Sequence, residues 1–423
     1  HAIDGVAPRA ICWPASYAEA AQALATADRL GLAVAPRGSG SKTALGNRPR
    51  RCDLIVSTER LNRIVEYAPA NLTVTVEAGL SLAALQATLG ESGQMLPLNP
   101  AYLDRATIGG IVATNASGPW RLGYGAPRDL VIGTRAATTS GTVVHAGGRV
   151  VKNVAGYDLN KLYVGSLGTL VLLVELSFKV APKPAAQTTV IGRFATREEL
   201  AEAARAIVRS PLLPTALDAL NDAAARALDV PNIPSARGGY LLATLGTAPG
   251  GGAHRQRDDL VKTYRQAGAD DIIDFAGAES EQFWSAVAEA LGPNDGGVVR
   301  AKVSVPISSV APAIGLLEAN ASPLGDPPAI RARAGSGVLA VDWRLPADTM
   351  NGQLAATATA LAQLRADCQA LGGSLIVEEC PSELKDHLDV WGEVGGALAL
   401  MLQLKTALDP NAIMNPGRFV GGI

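Results

Sequence analysis

The chain has 423 residues, of which 48% are apolar and 18% charged, with a formal net charge of −2. That balance fits two or three globular domains at about 150 residues each and excludes a disordered chain. No basic block stands out and no apolar run nears the ~20 residues of a membrane-spanning helix, which argues against a broad nucleic-acid-binding face and against a membrane span.

From the N-terminus, His1-Ala2-Ile3-Asp4-Gly5 lacks the charged and apolar regions of a signal peptide. Apolar residues at helical spacing (Ala18, Ala21, Leu24, Ala25) predict a helix over 14–30, stopped by Gly31. Residues 32–35 read as a short buried strand running into the turn Pro36-Arg37-Gly38-Ser39-Gly40-Ser41. Such a turn lets successive N–H groups converge on an anion such as pyrophosphate, or simply ends a strand. Thr43 and Ser41 stand where a dinucleotide fingerprint and a Walker loop, respectively, need glycine, so it is neither. Strands are expected at 54–56 and 72–76, and a helix at 81–91 capped by Ser81.

The stretch 106–118 carries Gly109-Gly110, small residues throughout and Asn115. Small side chains admit a ligand to the backbone, and a helix start there would favour phosphate; tight helix packing is the plainer reading. Residues 128–139, 142–145 and 169–180 look extended, and 158–164 looks like a short helix capped by Asp158. Lys152-Asn153-Val154-Ala155-Gly156-Tyr157-Asp158-Leu159 leads through that helix to Gly165-Ser166-Leu167-Gly168-Thr169. Pro182-Lys183-Pro184 marks a domain boundary. Beyond it, helices at 197–209, 254–267, 280–291 and 352–371 alternate with strands at 240–243, 298–305, 337–343 and 374–377. That alternation predicts an α+β domain with an antiparallel sheet. Loops are expected at 235–239 and 246–252, and no fixed-period repeat is visible. The chain ends on Asp409-Pro410 and Asn415-Pro416-Gly417-Arg418. The separated Cys12, Cys52, Cys368 and Cys380 fit no cluster or zinc spacing, nor do His1, His145, His254 and His387. No metal is expected, and a reducing cytoplasm is the default location.

In this order, 36–41, 107–118, 156–159 with 165–169, and 415–417 resemble the FAD-linked oxidase family, whose flavin domain is of the vanillyl-alcohol-oxidase (PCMH) type. The resemblance spans essentially the whole chain. It implies a two-lobed α+β FAD-binding domain over 1–182, with lobes of about 1–70 and 71–182. An α+β cap domain with an antiparallel sheet follows over 183–405, and 406–423 returns to the flavin. Carried over to this sequence, Pro36, Arg37, Gly38, Ser39, Gly40 and Ser41 hold the pyrophosphate. Thr107, Gly109, Gly110, Thr114, Asn115, Ser117 and Gly118 line the remaining phosphates and the flavin. Pro97, Gly168 and Val174 complete the cofactor contacts, and Asn415 lies near the isoalloxazine. Stretches 150–159, 388–392 and 415–419 are similar to the small flavin-binding subunits, type E, of bacterial glycolate oxidases. This implies a larger FAD-binding subunit and an iron–sulfur subunit as partners, glycolate or D-lactate as substrate, and a cytoplasmic site or one peripheral to the inner membrane face.

Three departures from the family pattern bear on function. Val171 follows Leu170 where glycine is usual. No His or Cys lies in the first glycine loop, so the FAD is expected to be noncovalent. The Gly-Asp-Gly-Asn-x-His and Glu-His-Gly metal motifs of larger relatives are missing from the cap. A metal-assisted base is then missing too, so the chain alone is expected to oxidise hydroxy acids poorly and to act in a complex. Arg344 and Lys302 are conceivable carboxylate partners and His387 a conceivable base, each equally readable as solvated surface. Two other readings stay open: a non-catalytic flavin module of the complex, and a stand-alone flavin oxidoreductase of the same fold that uses NAD(P)H.

Overall fold

The computed structural model describes residues 1–148, 157–228, 238–247, 252–289, 297–320, 324–325, 327–346 and 353–423. Residues 152–156 of the third motif lie outside them, as does most of the two loops expected at 235–239 and 246–252. Two compact units emerge: His1–Ser117, Gly125–Lys183 and Trp391–Ile423 form one, and Gly118–Tyr124 with Pro184–Val390 the other.

The first unit opens on the helix Tyr17–Arg29. Its cap is Ser16, whose hydroxyl accepts from the Glu19 N–H, so the helix begins after Pro14 rather than at it. Ala20, Ala21, Leu24 and Ala27 share one face and bury themselves against Val34, Val56, Leu172, Val174, Ile413 and Met414. A parallel three-stranded sheet runs Ala10–Cys12, Leu54–Ser57, Val34–Arg37. An antiparallel five-stranded sheet runs Ile64–Ala68, Thr73–Glu77, Leu172–Lys179, Val131–Ala137, Val143–Gly147. Two details differ from expectation. The stretch Pro127–Leu130 is helical, so the strand begins only at Val131. Asp158 precedes the helix Leu159–Tyr163, but its side chain makes no capping bond.

The second unit is built on an eight-stranded sheet, antiparallel throughout. Its order is Asp271–Ala276, Ala186–Phe194, Gly239–Thr247, Ala216–Leu220, Ala329–Arg333, Val338–Arg344, Val298–Ser304, Ser374–Glu379. Alternation sorts its residues by face. Leu217, Ala219, Ile330, Ala332, Leu339, Val341, Trp343, Val299, Ala301 and Val303 all point one way and are buried. The opposite face carries Asp218, Arg331, Arg333, Asp342, Arg300 and Glu379 in register across five strands.

Candidate cofactor site

Three turns and one short helix of the first unit meet at a cleft with an empty volume of about 1080 Å³, open solvent at its mouth included. Close backbone approach fixes how they meet. A Cβ on Gly38 would lie 2.1 Å from Thr107 Oγ1, so only glycine lets the first turn touch the helix Ile108–Thr114. Gly168, at φ +65°, leaves no room for a side chain either, since its Cβ would come within 2.9 Å of Pro36. The last turn joins through Asn415, whose Nδ2 donates to Leu167 O at 2.6 Å and whose N–H donates to Val34 O at 2.7 Å.

The hydrogen bonds decide which donors remain for a ligand. The N–H groups of Ile108, Gly109 and Gly110 are occupied, donating to Leu80 O, Ala78 O and Thr107 Oγ1. The start of that helix therefore does not offer the donors anticipated from its glycines. In the first turn, the N–H groups of Gly38, Ser39, Gly40 and Ser41 donate to no acceptor among the described residues. Gly40 takes φ +79°, which lets successive amides turn inward. Gly110 meets only Thr107 Oγ1, at 3.0 Å, and otherwise faces the open cleft.

Of the residues expected at the cofactor, Pro36, Arg37, Gly38, Ser39, Gly40, Ser41, Thr107, Gly109, Gly110, Thr114, Gly168 and Asn415 line this cleft together. Pro97, Asn115, Ser117, Gly118 and Val174 are not among its lining. Val174 is fully buried in the core, where its carbonyl accepts from the Ala78 N–H. Gly118 falls in the second unit. Asn115 closes the helix Ile108–Thr114 at φ 49° and buries an Oδ1 that has no hydrogen-bond partner among the described residues. A buried amide oxygen left in that state points to a group that completes it. Val171, the departure noted above, lines the cleft directly.

Two residues that sequence reading passed over hold the last turn in place. Lys405, 8% exposed at its side chain, donates to Thr169 O, Met414 O and Asp409 Oδ2 at 2.8, 2.9 and 2.5 Å. Asp409 in turn accepts from the Ile413 and Met414 N–H groups. Burial lowers the Lys405 pKa against the opposing pull of Asp409. The Lys405-x-x-x-Asp409 spacing, one helical turn, was the available signal. Arg418 is also buried; it pairs with Asp4 at 2.9 Å and donates to Thr43 O at 2.6 Å, tying the tail to the first turn. The polar residues nominated in the cap belong to the second unit. His387 is exposed, Lys302 Nζ stands 3.9 Å from Glu378, and Arg344 is exposed at a strand end. Among the described residues no group of three or more His, Cys, Asp or Glu side chains could hold a metal ion. Nor is any helix among them long and apolar enough to cross a membrane.

A cofactor unit whose amide-rich turn is closed by a returning C-terminal segment, in a chain whose second unit is built on an antiparallel sheet, defines a flavin-linked oxidoreductase. The family comparison agrees: residues 8–147 match the FAD binding domain, and residues 183–419 match the C-terminal domain of FAD linked oxidases. The chain belongs to the FAD-linked oxidase family, and FAD is its cofactor. It is similar to glycolate oxidase subunit GlcD of Bacillus subtilis, 27% identical over 97% of this chain and 88% of that one. To glycolate oxidase subunit GlcE of Escherichia coli it is 41% identical over 181 residues, 43% of this chain and 51% of that one. An alkyldihydroxyacetonephosphate synthase structure superposes with a TM-score of 0.70 at 17% identity, covering 97% of this chain and 77% of the other, which establishes the shared fold.

Proposed function

We propose that this chain is the small, E-type FAD-binding subunit of a glycolate-oxidase-like complex. It oxidises glycolate or D-lactate to the 2-oxo acid and passes electrons through a larger FAD-binding subunit and an iron–sulfur subunit. The complex would work in the cytoplasm or against the inner face of the membrane. The observation that carries the reading is the turn Pro36–Ser41, whose free amides face a cleft closed by Asn415. The fit rests on those amides and on the open face of Gly110. Bound FAD supplies a two-electron acceptor; the chain's own residues bind its phosphates and keep the last turn against it. Support for the E-type assignment is the 41% identity over 181 residues, set against full-length similarity to a D-type subunit. Co-purification from the native host tests it. Recovery of a larger flavoprotein and an iron–sulfur protein in fixed ratio with this chain is the expected result, and recovery of the chain alone contradicts it.

A further inference from the structure

The helix Arg197–Arg209 of the second unit has two apolar faces. Leu200, Ala203 and Ile207 are buried on the inner one. The outer one lines a groove shared with the helix Val310–Ala319, with an empty volume of about 1030 Å³, open solvent included. Ala201 and Ala204 line it from one helix, Ala311 and Gly315 from the other. Among the described residues, the second unit exposes three large apolar side chains, Val208, Leu213 and Ile307, at 47%, 81% and 45%. Val208 lies on this helix, Leu213 follows just past its end, and Ile307 lines the groove. Apolar surface gathered in one place and edged by charge marks an interaction surface.

The charges decide what covers it. Arg197, Ala201, Ala204 and Val208 recur at spacings of four, three and four, the seam of a helix pair. Glu198 and Arg205, both exposed, flank that seam on the same side, one helical repeat apart. We infer that this helix and its groove are the contact surface for a second copy of the chain, the two helices running antiparallel about a two-fold axis. Ala201 then meets Ala204 of the second copy, and the small side chains let the backbones approach. Glu198 meets Arg205 of the second copy, and symmetry repeats the pair. The pattern is self-complementary: Glu198, Glu199 and Glu202 fill one end of the helix, Arg205 and Arg209 the other. A parallel pair would set like charges together, whereas the antiparallel one also opposes the helix dipoles. Arg205 is bonded to Glu202 of its own helix at 2.7 Å, with both side chains about half exposed. Such a surface pair is weak and leaves the guanidinium able to share itself with an arriving carboxylate. The inference is independent of the activity proposed above.

Sedimentation velocity of the full FAD-loaded chain at roughly micromolar concentrations, where a modest interface is populated, tests this. Wild type sediments as a dimer that dissociates on dilution. Glu198→Arg and Arg205→Glu each weaken the dimer by roughly tenfold or more, since each sets two like-charge pairs across the seam. The double variant carrying both substitutions restores it, because exchanging both signs rebuilds the pair. Ala204→Gln, which puts bulk on the seam without charge, weakens it as well. Flavin absorbance and far-ultraviolet circular dichroism equal to wild type show that each variant is folded, as expected for exposed positions. A wild type that stays monomeric overturns the inference. So does a dimer indifferent to both single charge changes, which places the contact elsewhere. A double variant no better than the single ones overturns the antiparallel pairing and with it the proposal.

Discussion

Three residues carry the clearest consequences. Gly110 differs from Gly38 in what it faces. A side chain on Gly38 strikes Thr107 at once, whereas one on Gly110 enters the cleft with only Thr107 Oγ1 nearby. We therefore expect Gly110→Val to fold and to purify without FAD, as absorbance of the bound flavin will report. Full flavin occupancy in that variant would move the cofactor elsewhere. Gly38→Val should lose FAD and stability together. Asp218 makes a prediction of opposite sign. Its folded carboxyl titrates at about 7, well above an unfolded aspartate near 4. The folded chain then holds a proton that the unfolded chain releases, so stability falls as pH rises from about 4 to about 7. Asp218→Asn should melt with wild type at pH 4 and above it at pH 8. A lower melting temperature at pH 8 would mean that the carboxylate is compensated inside the protein.

At the scale of elements, the buried Lys405–Asp409 pair is one of two buried ion pairs that hold the C-terminal segment, the other being Arg418–Asp4. Breaking such a pair by removing a single partner costs about 3–5 kcal/mol. Lys405→Met should therefore lower stability by about that amount in denaturant titrations and weaken FAD retention, because Lys405 holds Thr169 and Met414, the latter next to Asn415 at the cleft. Unchanged unfolding would show that the turn holds itself. Elements with local signals were legible in the sequence. The helix Arg197–Arg209 is bounded as read, since Thr196 and Glu199 form a capping box, and Ser81 caps the helix Leu82–Glu91. The strands Ala216–Leu220 and Ala329–Arg333 were not legible. Each is only five residues long, so its alternation of Leu217, Ala219, Ile330 and Ala332 with Asp218, Arg331 and Arg333 is too brief to stand out from the surrounding sequence. Strand order was equally hidden, because it depends on pairings remote in sequence. The four glycine-bearing segments could be named from sequence, but not the bonds that occupy the Gly109 and Gly110 amides, which come from Ala78 and Thr107.

For the whole molecule, the first glycine turn holds neither His nor Cys, so FAD should be held without a covalent bond. Acid precipitation should release the yellow colour into the supernatant, and colour kept in the pellet would refute this. The central claim joins that cofactor to the oxidation of a hydroxy acid in a complex. Its most direct test is anaerobic stopped-flow mixing of the purified complex with glycolate, D-lactate or NADPH, following the flavin absorbance. The account predicts rapid bleaching by a hydroxy acid and none by NADPH. Bleaching by NADPH with no response to either hydroxy acid would contradict it.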